Sequence, residues 1–281
     1  MKPDRGALPS RGAPFFFICA ALLLNLLVMP AAWAQNLRDL AYGPDKAQRL
    51  DVYLPSADAP SSGAPILLMV HGGAWKIGDK HHHAVVSGKT AHWNARGFVV
   101  VSANYRLNVP PDQQAADIKA AIDEIRRQAP SWHADATRLA VMGHSAGAHL
   151  IALLYARLGD QLDWRGAILL DSAALDVPAI MSKNPARFYR QAFGSDPRRW
   201  QALSPLHQLR QPPVPLLAVC STHRRASCEQ AKSFVARIQA LGGQAQLLPQ
   251  PLSHRQINDS LGTDPAYTMA VDRFIDAVTA P

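Results

Sequence analysis

A serine with glycine two residues away on either side, in Met142-Gly143-His144-Ser145-Ala146-Gly147, has the makings of a nucleophile. The apolar run at 138–142 ahead of it reads as a strand, and the alanine-rich stretch behind it reads as a helix. A strand-to-helix turn forces the serine into a strained backbone, and only small residues at i−2 and i+2 let strand and helix come close enough to hold it. The next amide, on Ala146, then points where an oxyanion would form, reinforced by the positive end of the helix. Acyl transfer needs a second donor for that charge. His71-Gly72-Gly73-Ala74-Trp75 follows directly on the apolar run 66–70, and its paired glycines let bare backbone, from Gly72 and Gly73, reach the same point.

A serine hydroxyl attacks only when a base takes its proton. Eleven histidines compete for that role. The base in such sheets follows the nucleophile along the chain and sits after the last strand. His254, beyond the run 245–248, is the one histidine there. His144 is expected to point away from the turn, His149 to lie within the helix, and His71 to support the glycine loop. The run His81-His82-His83 reads as a solvated loop: three consecutive residues cannot all face one ion, and no carboxylate spacing accompanies them, so no metal site is expected.

The acid that orients the imidazole is less determined. The loop after the run 216–220 offers no carboxylate before Glu229. Asp171 ends the buried-type run 167–170, and an ionisable group there is costly unless paired, which suits a partner such as His254. Asp171 is the favoured acid. Glu229 and Asp176 remain alternatives, and a helix cap or turn former is the structural alternative for Asp171.

These residues need a frame. Short apolar runs at 50–54, 66–70, 98–101, 139–142, 167–170, 216–220 and 245–248 alternate with helix-periodic stretches, such as Ile118, Ile122 and Ile125, or Phe234, Ile238 and Leu241, or Tyr267, Val271, Phe274 and Val278. That order predicts an α/β protein with a mainly parallel central sheet covered by helices on both faces, the 50–54 run serving as an early edge strand. Residues 177–213, rich in proline and carrying Phe188, Tyr189, Phe193 and Trp200, form either a small cap over the site or a surface excursion.

Ahead of this domain stand Lys2, Arg5 and Arg11, an uncharged run at 15–29 and Ala32-Trp33-Ala34. A run of that length is shorter than the roughly 20 residues of a spanning helix, and its flanks match a secretory signal peptide. We therefore expect cleavage after Ala34, export to the periplasm or medium, a single domain over 35–281, and no stable membrane anchor. In an oxidising compartment Cys220 and Cys228 would form a disulfide. The net charge of +8 is spread along the chain. It reads as solubility and argues against a nucleic-acid partner. Nothing in the sequence speaks to oligomeric state.

With both glycine motifs, His254 and the landmarks Leu50-Asp51-Val52-Tyr53-Leu54-Pro55, Asn104-Tyr105-Arg106-Leu107, Asp117 and Asp135, the chain resembles the α/β-hydrolase fold from about residue 42 onward. Within it the likeness is to small carboxylesterases of the hormone-sensitive-lipase, feruloyl-esterase and kynurenine-formamidase-like groups. The resemblance implies nucleophile Ser145, base His254, oxyanion donors from Gly72, Gly73 and Ala146, no cofactor, and a small ester substrate cleaved through an acyl-serine. Trp75, as a candidate pocket residue, and the aromatics near Phe188 would suit a small aryl or acyl group. Two further readings stay open. An H-G-G-x-W motif also resembles formamidases, which cleave N-formyl amides. Arg224 stands near the family's usual acid position, so an inactive esterase fold that only binds is the third reading.

Overall fold

Strands buried on both faces must feed two cores with alternate residues. In the computed structural model, which describes residues 36–55, 63–161 and 163–281, they do. Eight strands form one sheet: β1 Leu37–Ala41, β2 Arg49–Tyr53, β3 Ala64–Val70, β4 Val99–Ala103, β5 Ala134–His144, β6 Gly166–Leu170, β7 Leu216–Ser221 and β8 Ala245–Gln250. Their spatial order is β1-β2-β4-β3-β5-β6-β7-β8. The β1–β2 and β2–β4 pairs are antiparallel and all others parallel.

The helices are α1 His83–Ala95, α2 Pro111–Gln128, α3 Ala146–Leu158, α4 Val177–Met181, α5 Arg187–Phe193, α6 Pro197–Ala202, α7 Pro205–Gln208, α8 Arg225–Ala240, α9 His254–Asp259 and α10 Pro265–Thr279. Ile66, Leu68, Val99, Val141, Leu169 and Ala218 pack on one face with Ile118, Ile122 and Ile125 of α2, with α3, and with Phe234 and Ile238 of α8. Leu67, Met69, Val100, Met142, Ile168 and Val219 pack on the other with Trp93 of α1, Ile257 of α9, and Val271, Phe274 and Val278 of α10. The mainly parallel, doubly covered sheet expected from the sequence is the one observed.

Two expectations need correction. The 50–54 run is not an edge strand, because β1 pairs outside it. A register shift between Leu37 and Leu40, with Asp39 at φ 54°, spaces the two leucines of β1 three apart. Such a bulge hides the period-two signal of a strand. His81 does not sit in a merely solvated loop either. It meets Asp51 at 2.7 Å, while His82 caps α1 by accepting from the Ala84 N–H.

The expected leader over 1–34 lies outside the described residues. No described helix is long and apolar enough to cross a membrane. Residues 177–213 fold into α4 to α7. They bury Phe193 and bring Phe188 and Tyr189 to a cavity at the carboxyl ends of the parallel strands, where open α/β sheets build their sites.

Candidate active site

Ser145, Ala146, Asp171, Gly72 and Gly73 stand within three residues of a strand end, and His254 four beyond β8. Ser145 connects β5 to α3 at φ 54° and ψ −114°, a left-handed conformation that L-residues avoid. A side chain at Gly143 would meet the backbone of Gly147 at 2.6 Å, and one at Gly147 would collide with the backbone of Val70 and His71. Both glycines are therefore steric requirements of the turn. The Ser145 amide donates to the Leu170 carbonyl at 2.9 Å, tying the turn to β6.

Across from Ser145 runs the loop after β3. A side chain at Gly72 would come within 3.0 Å of the Ser145 Cβ and of the His144 carbonyl oxygen. Bare backbone at Gly72 therefore lies directly against Ser145. The Gly73 carbonyl accepts from Lys76 and Ile77, both at 3.0 Å, and Tyr105 donates to the His71 carbonyl at 3.1 Å while stacking on its ring. Trp75 lines the cavity but is almost fully buried. Its indole donates to His149 Nδ1 at 3.2 Å, His149 Nε2–H donates to the Leu203 carbonyl at 2.9 Å, and Gln114 donates to the Trp75 carbonyl at 2.8 Å. Burial pushes His149 down to about 4, so it stays neutral and fixed in one tautomer. The amides of Gly72, Gly73 and Ala146 donate to no protein acceptor among the described residues.

His254 opens α9, whose first turn is held by a capping box between Ser253 and Gln256. Its Nε2 lies 3.1 Å from Ser145 Oγ and its Nδ1 lies 2.6 Å from Asp171 Oδ2. Of the three carboxylates weighed for this position, only Asp171 reaches the imidazole. Glu229 is 60 % exposed and pairs with Arg225, and Asp176 caps α4 by accepting from the Ala179 N–H at 3.1 Å.

Asp171 is fully buried at φ 52°. Its carboxylate accepts from the Ser221 N–H at 2.8 Å, from the Ser227 hydroxyl and from Arg224 Nη1 as well as from His254. Burial by itself would raise its pKa. The hydrogen bonds from His254, Ser221 and Ser227 and the Arg224 charge override that and hold it well below the ordinary carboxylate range. The donors Ser221, Arg224 and Ser227 all belong to one short segment. Cys220 and Cys228 close that segment with a disulfide, Cα–Cα 5.0 Å.

The expectation that His144 points away is wrong. Its ring lies 4.5 Å from that of His254, and its Nε2–H donates to the His254 carbonyl at 3.0 Å. Burial, aided by the electrostatic effect of His254, pushes it down to about 3, so it braces the His254 ring as a neutral imidazole. Asp39, Asp51 and His81 bring ligand atoms within 4.8 Å of one another. The Lys80 ammonium already sits among them, 2.7 Å from Asp39 and 3.0 Å from Asp51, with Arg38 2.8 Å from Asp51. These carboxylates are matched by protein cations.

The BD-FAE family model matches residues 50–185. Kynurenine formamidase of Danio rerio is 31% identical over 155 residues, 53% of this chain and 49% of that protein. Esterase LipC of Mycobacterium tuberculosis is 30% identical over 234 residues, 73% of this chain and 55% of that one. The chain thus spans about half the length of these curated relatives. Among solved structures, Thermogutta terrifontis esterase 2 phosphonylated by sarin superposes with a TM-score of 0.70 at 23% identity, over 90% of this chain and 98% of that one.

The chain has the α/β-hydrolase fold. In this fold the carboxylate nearest the imidazole follows the end of β6, and Arg224 occupies the loop after β7. Sequence reasoning passed over Ser221, Ser227 and Arg224 as site residues. The signal that could have found them is the cysteine pair around them, which marks the loop as one held in a fixed shape.

Proposed function

We propose that this α/β-hydrolase is a serine esterase that cleaves a small carboxylic ester through an acyl-serine intermediate. The observation that carries the reading is the continuous relay from Ser145 Oγ through His254 to the buried Asp171, with steps of 3.1 and 2.6 Å, opening on a cavity of about 690 Å³. Ser145 attacks the acyl carbonyl as His254 Nε2 takes its proton. The imidazolium so formed is stabilised by the ionised Asp171, and the oxyanion is received by the amides of the Gly72, Gly73 and Ala146 region. His254 then gives the proton to the departing alcohol as the C–O bond breaks; it next takes a proton from a water that adds to the acyl carbonyl, and returns that proton to Ser145 Oγ as the C–Oγ bond breaks and the acid leaves. Esterase names among the relatives support this choice.

A second reading has its own support. Kynurenine formamidase is among the relatives, and Trp75 keeps the glycine loop in an H-G-G-x-W context, so N-formyl amides are the alternative acyl donor. We place the working protein outside the cytoplasm, in line with the sequence of the first 34 residues and with the Cys220–Cys228 bond.

The test is hydrolysis of short p-nitrophenyl esters and of N-formyl amides by the wild type and by Ser145→Ala. We expect ester turnover to fall by at least about two orders of magnitude in the variant, and a fluorophosphonate to label the wild type at Ser145. Equal inertness of both proteins toward every acyl donor, without labelling, would overturn the proposal. Faster turnover of formamides than of esters would shift it to the second reading.

A further inference from the structure

Four charged side chains with permanent partners in reach line the cavity in front of Ser145: Asp79, Arg224, Arg255 and Asp259. Arg255 and Asp259 neutralise each other at 2.7 Å. Asp79 is held by the Asn104 amide at 3.0 Å and the His81 N–H at 2.7 Å. Arg224 differs from these. A single nitrogen, Nη1, makes all of its contacts: to the Asp171 carboxylate, to the Asp171 carbonyl at 3.2 Å, and within 2.6 Å of His254 Nδ1. Its Nε and Nη2 donate to no protein acceptor among the described residues. The side chain is 33% exposed and lines the cavity. A guanidinium presents a planar fork whose Nε–Nη2 edge matches the two oxygens of a carboxylate. Here the third nitrogen, Nη1, is anchored in the protein, so the fork is held in place before any ligand arrives. The hydroxyl of Tyr189, in the same cavity, likewise has no protein partner among the described residues.

We propose that Arg224 is a specificity residue that binds a carboxylate on the substrate, so that the preferred acyl donors are small esters or amides bearing an anionic group a few bonds from the scissile carbonyl. This rests on the serine-hydrolase reading above and adds the substrate class. The placement supports it: Arg224 is separated from Ser145 Oγ by one imidazole ring and the two polar contacts on either side of it. A carboxylate on the free edge of the fork would therefore lie close to the reacting centre, within the span of a short chain or one aromatic ring. Asp171 already balances one unit of charge, so the pair is near neutral in the resting site. Attraction for the anion comes from the directed N–H groups and the low polarity of the surrounding Phe188, Ala173 and Ala174.

The test uses matched pairs that differ only in charge. On the alcohol side these are 4-acetoxybenzoate and 4-acetoxybenzamide; on the acyl side, monophenyl adipate and its neutral amide counterpart, phenyl 5-carbamoylpentanoate. Arg224 also touches Asp171, so its variants will slow every ester. The readout is therefore the charged-to-neutral ratio of kcat/KM, taken in the wild type and in Arg224→Gln, which cancels the intrinsic reactivity of each ester. We expect that ratio to drop at least tenfold in Arg224→Gln for one of the two pairs, chiefly through KM, and to be partly restored in Arg224→Lys. The pair that responds tells on which side of the ester the anion lies. A ratio unchanged in both pairs, with neutral esters still cleaved through Ser145, would overturn this inference and leave the esterase reading standing. If no ester is cleaved at all, both fall together. Should Arg224→Gln not fold, product inhibition of the wild type decides: 4-hydroxybenzoate must inhibit at least tenfold more strongly than 4-hydroxybenzamide, or adipate at least tenfold more strongly than its monoamide, 5-carbamoylpentanoate, and the difference must shrink with added salt. Equal inhibition overturns the inference.

Discussion

The two arms of the site are held by different physics. On the serine arm, the loop after β3 and the turn from β5 to α3 are fixed by backbone sterics: Gly143 and Gly147 are places where a Cβ has no room, Gly72 is one where it would force a shift, and Ser145 is pinned between them. On the acid arm, Asp171 is fixed by four donors, His254, Ser221, Ser227 and Arg224, three of them on one segment closed by a disulfide. Steric constraint is all or nothing, because a methyl group either fits or displaces the turn. A hydrogen-bonded cradle is graded, because one donor can be lost while the others hold. Substitutions on the serine arm should therefore act sharply, and on the acid arm only the carboxylate itself should do so.

The largest effect expected from that comparison is at the carboxylate. Asp171→Asn should keep the fold and lower kcat by about 10³- to 10⁴-fold, because an amide no longer fixes the His254 tautomer or stabilises the imidazolium. Glu229→Gln, on the exposed face of α8, should leave kcat within about twofold. The reverse pattern in steady-state kinetics would move the acid off β6. Gly72→Ala comes next. Its Cβ would stand 3.0 Å from both the Ser145 Cβ and the His144 carbonyl oxygen, so the loop must shift by a few tenths of an ångström and carry its amide with it. Loss of an oxyanion donor costs about 10²- to 10³-fold in kcat. Ser227→Ala, the matched change on the acid arm, removes one of four donors and should cost less than about tenfold. Equal penalties for the two would erase the distinction between the arms.

The same distinction explains what could be read from the sequence. Steric requirements leave a compositional trace, since only glycine satisfies them. Ser145, Gly72, Gly73 and the strands behind them were legible for that reason, as were the sheet and its two helical layers, whose periodicities repeat over many residues. Side-chain networks leave no such trace. Any serine can donate to a carboxylate, so Ser221 and Ser227 looked ordinary, and Arg224 looked like a gap where an acid should be. Asp171 could be inferred only from the cost of ending a buried strand with a charge. His144 was misjudged because its orientation depends on where α9 packs, and β1 was hidden because its bulge breaks the alternation.

A smaller effect tests the closure of the acid arm. Opening the Cys220–Cys228 bond, by a phosphine reductant or in the double variant Cys220→Ser/Cys228→Ser, frees the segment that carries Ser221, Arg224 and Ser227. We expect kcat to fall about tenfold at little change in KM, alongside a loss of roughly 2–3 kcal/mol of stability from the unfolded-state entropy of so short a loop. Mass spectrometry would establish that the thiols are free. Full kcat in the reduced protein would mean that the hydrogen bonds hold Asp171 without help from the disulfide.

The smallest effect reaches both arms through acid. His149 supports Trp75 on the serine arm and His144 supports His254 on the acid arm; burial lowers them to about 4 and about 3 from an ordinary value near 6.5. In the window between these values the unfolded chain binds protons that the folded chain does not. Stability therefore rises with pH there and is lost as pH falls below about 6.5, by up to about 1.4 kcal/mol per pH unit for each group. Asp171 adds a loss at lower pH, since a carboxylate with a depressed folded pKa stabilises above its unfolded value, near 3.8, and ceases to do so as pH drops through the folded one. Chemical denaturation between pH 4 and 7 should show the histidine slope. His149→Gln can still accept from the Trp75 indole and donate to the Leu203 carbonyl but cannot titrate; since burial also lowers His71, the variant should flatten that slope by roughly a third. An unchanged slope would mean that His149 is already protonated in the folded protein, which its two hydrogen bonds, one accepted and one donated, do not allow.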